Sequence, residues 1–282
     1  MRRTLLLAPV AALLCGTATG GAASTRSVTN LGLRADVRND TAVSSNWSGY
    51  AIGAPTTFTN VSGRWVQPAA QCTGSRSYSA FWVGLGGFSE SSQALEQIGT
   101  SADCSATGKA TYSMWYELVP AASVPIKFKV FPGNVLSASV NVKGTQVTVQ
   151  IRNLTRRTKF TKTLRMSSPD TSSAEWVAEA PSACSSSGRC VQLPLTNFGS
   201  VTFTKASATT SDGRTGTVSD SAWSATTIEL IEDSSNPFAQ SQATSSGAVP
   251  AALSSDGAAF AIVWQDAIAL PAGTQPAQGA GS

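Results

Sequence analysis

Apolar and polar positions alternate along most of the chain with a period of two, the spacing at which side chains share one face of a β-strand. The clearest case runs from Val135 to Ile151. Leu136, Ala138, Val140 and Val142 alternate with Ser137, Ser139 and Asn141; Lys143-Gly144 supplies a turn; Val147, Val149 and Ile151 then alternate with Gln146, Thr148 and Gln150. This pattern predicts a hairpin with one buried and one polar face. Phe58 to Val66, Tyr78 to Leu85, Val124 to Phe131, Arg157 to Met166, Val201 to Phe203, Thr226 to Ile231 and Phe260 to Trp264 read as further strands. No stretch carries a sustained helical period with caps. The expected fold is all-β, a β-sandwich of two antiparallel sheets around one core. Asp233 to Gly257 reads as a long Ser/Ala/Gln-rich connection, and residues 271–282 as a disordered tail.

One alternating stretch stands apart. In Ser172 to Pro181, Trp176, Ala178 and Ala180 fall on one face and Glu175, Val177 and Glu179 on the other. The ordinary outcome is a solvated glutamate pair behind a buried tryptophan. The chemical outcome is one glutamate in a cleft, handling protons. Four strand residues separate the two carboxylates by about 13–14 Å, more than the roughly 5–9.5 Å of a glycosidase pair. A catalytic Glu175 therefore needs a partner from elsewhere in the chain.

Composition narrows the chemistry. Arg2 and Arg3, an apolar run from Leu5 to Leu14 and small residues through Ser24 form an export signal, with cleavage expected near Ala23. The run is too short to span a membrane. Residues 24–43 read as a short propeptide or disordered lead, and 44–270 as one domain. Cys72, Cys104, Cys184 and Cys190 remain after cleavage. An even count in an exported chain points to two disulfides. Three pairings are open, and Cys184–Cys190 with Cys72–Cys104 is the one expected here. The chain has no histidine, which excludes Ser-His-Asp and Cys-His nucleophiles, zinc-peptidase motifs and imidazole acid–base chemistry. Residues 1–43 hold five Lys/Arg and two Asp/Glu, so without them the formal +4 becomes 15 − 14, or +1. No basic stripe marks a nucleic-acid partner.

Four short segments each set an aromatic beside polar and small residues: Asn46-Trp47-Ser48-Gly49, Phe81-Trp82-Val83-Gly84-Leu85-Gly86-Gly87, Trp115-Tyr116-Glu117 and Ala174-Glu175-Trp176. The second leads shortly to Leu95-Glu96-Gln97-Ile98-Gly99. Together and in this order they resemble the glutamic peptidases, or eqolisins, a family of secreted acid endopeptidases. The resemblance implies a concanavalin A-like, lectin-like jelly roll of two seven-stranded sheets, with a catalytic Gln and Glu in the concave cleft. It places those roles on Gln97 and Glu175, substrate contacts on Trp47, Trp82, Trp115 and Glu117, and a short disulfide loop at Cys184–Cys190. It implies polypeptide substrates, no cofactor or metal, no nucleic-acid or membrane partner, and a monomer. Two departures stand out: aspartates common in the family are Gly86 and Ser113 here.

The residues make chemical sense without the family. A carboxylate can take a proton from water and return it to the leaving amine, and a glutamine amide can donate to the oxyanion. Glu96 points away from Gln97 if the strand is regular, so the two cannot share a role. With no histidine, an alkaline limit to activity needs a carboxyl of raised pKa or the chain's own terminal amine; Glu117 is the expected group. Two other readings compete. A carbohydrate-binding sandwich would use exposed tryptophans, and a lectin-like glycoside hydrolase would pair Glu117 with Glu175 from neighbouring strands.

Overall fold

The computed structural model describes residues 40–89, 91–184, 190–231 and 246–266, without the side chains of Cys184 and Cys190. The expected leader (1–23) and tail (271–282) lie outside the described residues. The first strands are β1 (Thr41–Ser44), β2 (Trp47–Gly53), β3 (Phe58–Val66), β4 (Ala80–Leu85), β5 (Leu95–Cys104), β6 (Ala110–Val119) and β7 (Val124–Ile126). The middle of the chain supplies β8 (Val135–Lys143), β9 (Gln146–Asn153), β10 (Thr158–Arg165), β11 (Ser173–Glu179), β12 (Ser182–Cys184) and β13 (Cys190–Gln192). The last are β14 (Ser200–Thr210), β15 (Thr215–Gly216), β16 (Ser224–Ile231), β17 (Gly247–Pro250) and β18 (Phe260–Gln265). No helix occurs among the described residues.

Most strands join one ladder in the order β10, β9, β8, β3, β14, β18, β17, β16, β2, β11, β4, β5, β6, β7. Every pairing along that path is antiparallel, while β1 lies parallel to β16. The ladder doubles over where β16 meets β17 through just two residue pairs, Leu230–Ala248 and Ile231–Gly247. The halves then pack face to face, β3 against β4 and β8 against β5. The result is a β-sandwich of two layers, each with seven strands along that path and one more at its side, β1 beside β16 and β15 beside β14.

Between the sheets lies the main core, which includes Trp65, Phe81, Val83, Ile98, Trp176 and Phe203, all buried. Its indoles are tied across the layers. Trp176 Nε1 donates to the Ser62 carbonyl at 2.8 Å, and Trp65 Nε1 to Thr100 Oγ1 at 3.0 Å. A buried indole N–H without a partner is costly, so these bonds fix how the sheets sit.

Some details depart from expectation. Lys143 pairs with Gln146, so the hairpin turns on Gly144-Thr145 instead of Lys143-Gly144. The segment from Val124 leaves the sheet after Ile126, the last residue paired with β6, and Phe128 and Phe131 are exposed. Val201 to Phe203 is the start of a much longer strand, hidden because its register against β3 shifts between Thr204 and Ser207 and breaks the alternation. β17 lies inside the expected long connection, and β1 (Thr41–Ser44) begins before the domain start expected at residue 44.

Cys72 and Cys104 form a disulfide across a sequence separation of 32. Cys184 and Cys190 stand opposite each other in the β12–β13 register; their side chains, and hence the expected bond, lie outside the described residues. Chain entropy assigns a loop the size of Cys72–Cys104 about 3–4 kcal/mol. Replacing both cysteines by serine should lower stability by about that amount in thermal or urea denaturation. An unchanged midpoint would show that the bond does not constrain the unfolded chain.

Candidate active site

β2, β11, β4, β5 and β6 are consecutive neighbours, and their registers bring five residues into one row: Ala51, Glu175, Gly84, Gln97 and Glu117. Directly opposed residues of an antiparallel sheet share a face. Glu175, Gln97 and Glu117 therefore project from the same side, the side away from the main core. The backbones of Glu175 and Gln97 are two strand spacings apart, about 9–10 Å. Between them stands Gly84, where a Cβ would come within 2.8 Å of the Trp82 ring and 3.0 Å of Leu95 Cδ1. Glycine lets the tryptophan lie across the middle of the row.

A second, smaller apolar cluster lines this face. It contains Trp47, Ala51, Ala80, Trp82, Leu95 and Val177, with the partly buried Trp115 packed against it. Trp47 meets Trp82 edge to face at 5.0 Å. Trp82 Nε1 donates to Glu179 Oε2 at 2.8 Å, and Asn46 Nδ2 reaches Glu179 Oε1 at 3.5 Å. Glu179, on the face of Glu175, thus holds a tryptophan in place. Neither glutamate is solvated: Glu175 is 0 % exposed and Glu179 2 %. The ordinary expectation for this strand is overturned because the large apolar side chains of this face, Trp47 and Trp82 among them, bury the carboxylates.

Gln97 Nε2 donates to Glu117 Oε2 at 2.9 Å, which fixes the direction of the amide. Both carboxylate oxygens of Glu175, the Gln97 carbonyl oxygen and the Trp47 indole N–H are buried without a hydrogen-bond partner among the described residues. Buried polar groups are nearly always paired, and exceptions concentrate at sites of chemistry. The rival readings fare worse on this geometry. Glu117 and Glu175 are not on neighbouring strands, since β4 and β5 lie between them. A glycan-binding sandwich has no use for an oriented Gln97 amide or an unpartnered buried Glu175 carboxyl, so that reading leaves both unexplained.

A model of the Peptidase A4 family matches residues 45–252. The chain belongs to that family. Scytalido-glutamic peptidase, solved with a peptide-based transition-state analogue, is similar to this chain at 25% identity and a TM-score of 0.63, covering 78% of this chain and 98% of its own. SCP-B, an eqolisin solved with the tripeptide Ala-Ile-His, matches at 25% identity and a TM-score of 0.60 over the same shares. Aspergilloglutamic peptidase from Aspergillus niger shares the fold at 23% identity and a TM-score of 0.51, over 67% of this chain and 99% of its own. No match was found among curated proteins. The protein is a glutamic-type endopeptidase with polypeptide substrates.

The two departures from the family pattern differ in this peptidase. Ser113 is an exposed residue of β6. Gly86 has φ +79°, and a Cβ there would meet the Asp170 Cβ at 2.5 Å. Asp170 fills that space, and nothing in its own sequence neighbourhood advertises it. Glu96 lies on the core face, in the register row of Ala174 and Leu85, as strand alternation requires. Its carboxyl accepts the Asp170 N–H at 3.2 Å.

The buried carboxyls of this A4 peptidase favour their protons. Burial raises Glu96 to about 8; the Asp170 N–H opposes this, and the Asp170 charge adds to it. Asp103 is half-buried, and desolvation raises it to about 7 against the Ser79 N–H. Glu175 is pushed well above an ordinary carboxyl by burial, then by the charges of Asp170 and Glu96; the nearby Ser173 hydroxyl, outside hydrogen-bond geometry, acts the other way. A raised folded pKa gives stability that is complete below the unfolded value and lost as pH rises through the folded one. Asp212, Asp220 and Asp256 are shifted down by side-chain hydrogen bonds, but they are solvent-screened and contribute little. Thermal stability should therefore be greatest near or below pH 4.5 and fall as pH rises through about 7 and 8. A melting temperature flat from pH 4 to pH 8, on scales of about this width, would contradict these assignments.

Proposed function

We propose that this glutamic-type endopeptidase is a secreted acid enzyme whose catalytic pair is Glu175 and Gln97. The observation that carries the proposal is the register row: an unpartnered, buried carboxyl and an oriented amide on one face, two strands apart across a glycine. A scissile amide seated against the Trp82 indole, which covers Gly84, lies between Glu175 and Gln97 and reaches both. Ionised Glu175 takes a proton from water as the water oxygen bonds to the carbonyl carbon. The Gln97 amide carries two N–H donors. One is held by Glu117, and the other is free to meet the oxyanion. As the C–N bond breaks, Glu175 gives the proton to the departing nitrogen, so no metal, histidine or covalent intermediate is required.

The surrounding residues take supporting roles. Trp47, Trp82 and Trp115 form the apolar floor and wall for the substrate chain. Glu117 orients the oxyanion donor, which supports a positioning role in addition to the titrating one expected from sequence. Export rests on the Arg2-Arg3 and Leu5–Leu14 leader, and the Cys72–Cys104 disulfide agrees with an oxidising compartment.

The tests are kinetic. Glu175→Gln and Gln97→Ala should both abolish casein hydrolysis at acid pH, with loss of one oxyanion donor alone costing about 10²–10³ in kcat. Wild-type hydrolysis should persist with chelator and serine-directed reagents. Because kcat/KM follows the base in the free enzyme, its acid limb should centre above the ordinary glutamate value of 4.5. A folded Glu175→Gln enzyme with near-normal turnover, or a limb centred below that value, would remove Glu175 as the base.

A further inference from the structure

The loop before β11 and the loop between β4 and β5 meet at one side chain. Asp170 Oδ2 accepts the Gly87 N–H at 3.3 Å and the Ser92 hydroxyl, and Oδ1 accepts the Ser172 N–H at 2.9 Å. Its own N–H reaches Glu96 Oε1, and the Gly86 N–H donates to the Ser173 carbonyl at 3.0 Å alongside. Ser92 lies five residues before Gln97, and Asp170 five residues before Glu175. The clasp thus joins the lead-in segments of the two strands that carry the pair. It exists because position 86 has no side chain: a Cβ there would lie 2.5 Å from the Asp170 Cβ and 2.7 Å from its Cγ. We propose that Asp170 is a positioning residue of this peptidase, its carboxylate clasping the Gln97 and Glu175 strands together through the space left by Gly86 and setting a fixed negative charge near Glu175.

The inference rests on the Glu175–Gln97 reading. Asp170 remains ionised: burial works against its charge, but the hydrogen bonds from Ser92, Ser172 and Gly87 outweigh it and hold its pKa low. The other titratable groups around Glu175 are Glu96, across the sheet, and Glu117 and Glu179 on its own face. β2 and β4 present only Trp47, Gly49, Ala51 and Gly53, and Ala80, Trp82 and Gly84, on that face. A fixed anion beside a carboxyl disfavours loss of its proton. Asp170 therefore has two separable effects, one geometric and one electrostatic.

Two variants separate them. Asp170→Asn keeps the size and an acceptor but removes the charge. Its Glu175 carboxyl, followed by carbon-13 NMR, should titrate at lower pH than in the wild type, and the acid limb of kcat/KM should move down with it. Ser92→Ala keeps the charge and opens the clasp. It should lower kcat by about tenfold to 10²-fold, the scale of a small misplacement of reacting groups, while leaving that titration nearly in place. If Asp170→Asn does not fold, Asp170→Ser removes the same charge with less bulk. A folded charge-removing variant with wild-type titration and a wild-type limb would overturn the proposal. If the NMR titration moves while the activity limb stays, Glu175 is not the group that limits catalysis, and Asp170 loses its place in the reaction. A wild-type protein that cleaves no peptide would instead sink the underlying Glu175–Gln97 reading.

Discussion

Strand register is the constraint on which the rest of this molecule depends. Glu175 has no hydrogen-bond partner of its own and is not adjacent to Gln97 in sequence or in the sheet. Backbone pairing of β11 with β4, and of β4 with β5, is what brings them into one row. A slip of one residue in either pairing would turn one of them to the opposite face. The tryptophans that tie the two sheets therefore hold that row as well as the fold. Trp176 and Trp65 fix the layers, while Gly84 and Glu179 fix where Trp82 lies on the other side.

That arrangement has an electrostatic consequence. A face packed with indoles and covered from solvent disfavours charge, and carboxyls placed there hold their protons to higher pH. Glu96 and Asp103 do so in the structural part of the sandwich, and Glu175 does so in the row. One physical cause thus favours the protonated form of carboxyls in the structural part of the sandwich and in the row alike. In a chain without histidine, carboxyls of this kind are the side chains left to titrate between the ordinary carboxylate range and neutrality.

Much of this was legible in the residues. Alternation gave the strands wherever a regular ladder runs, as from Val135 to Ile151, and it separated Glu96 from Gln97 and Trp176 from Glu175. It failed where the ladder is irregular, since the shifted register of β14 breaks the period that would have marked it. The tryptophan-centred segments pointed to the face, but not to its burial, because side chains contributed by neighbouring strands leave no trace in a strand's own alternation. Glu179 had the spacing of a second catalytic candidate, and only its bond from Trp82 separates it from Glu175. Asp170 could not be found from sequence. It sits in a loop without periodicity, and its importance comes from a glycine 84 positions away whose missing side chain it replaces in space.

The central claim is that Glu175 and Gln97 flank one reacting carbonyl. Its most direct measurement is a crystal structure of the enzyme with a peptide analogue bearing a tetrahedral, doubly oxygenated centre at the scissile position. That centre should lie against the Trp82 indole between β11 and β5, one oxygen about 2.7–3.1 Å from Gln97 Nε2 and the other at similar distance from the Glu175 carboxyl. An analogue seated with its tetrahedral oxygens on Glu117 or Glu179, out of reach of Glu175, would contradict it.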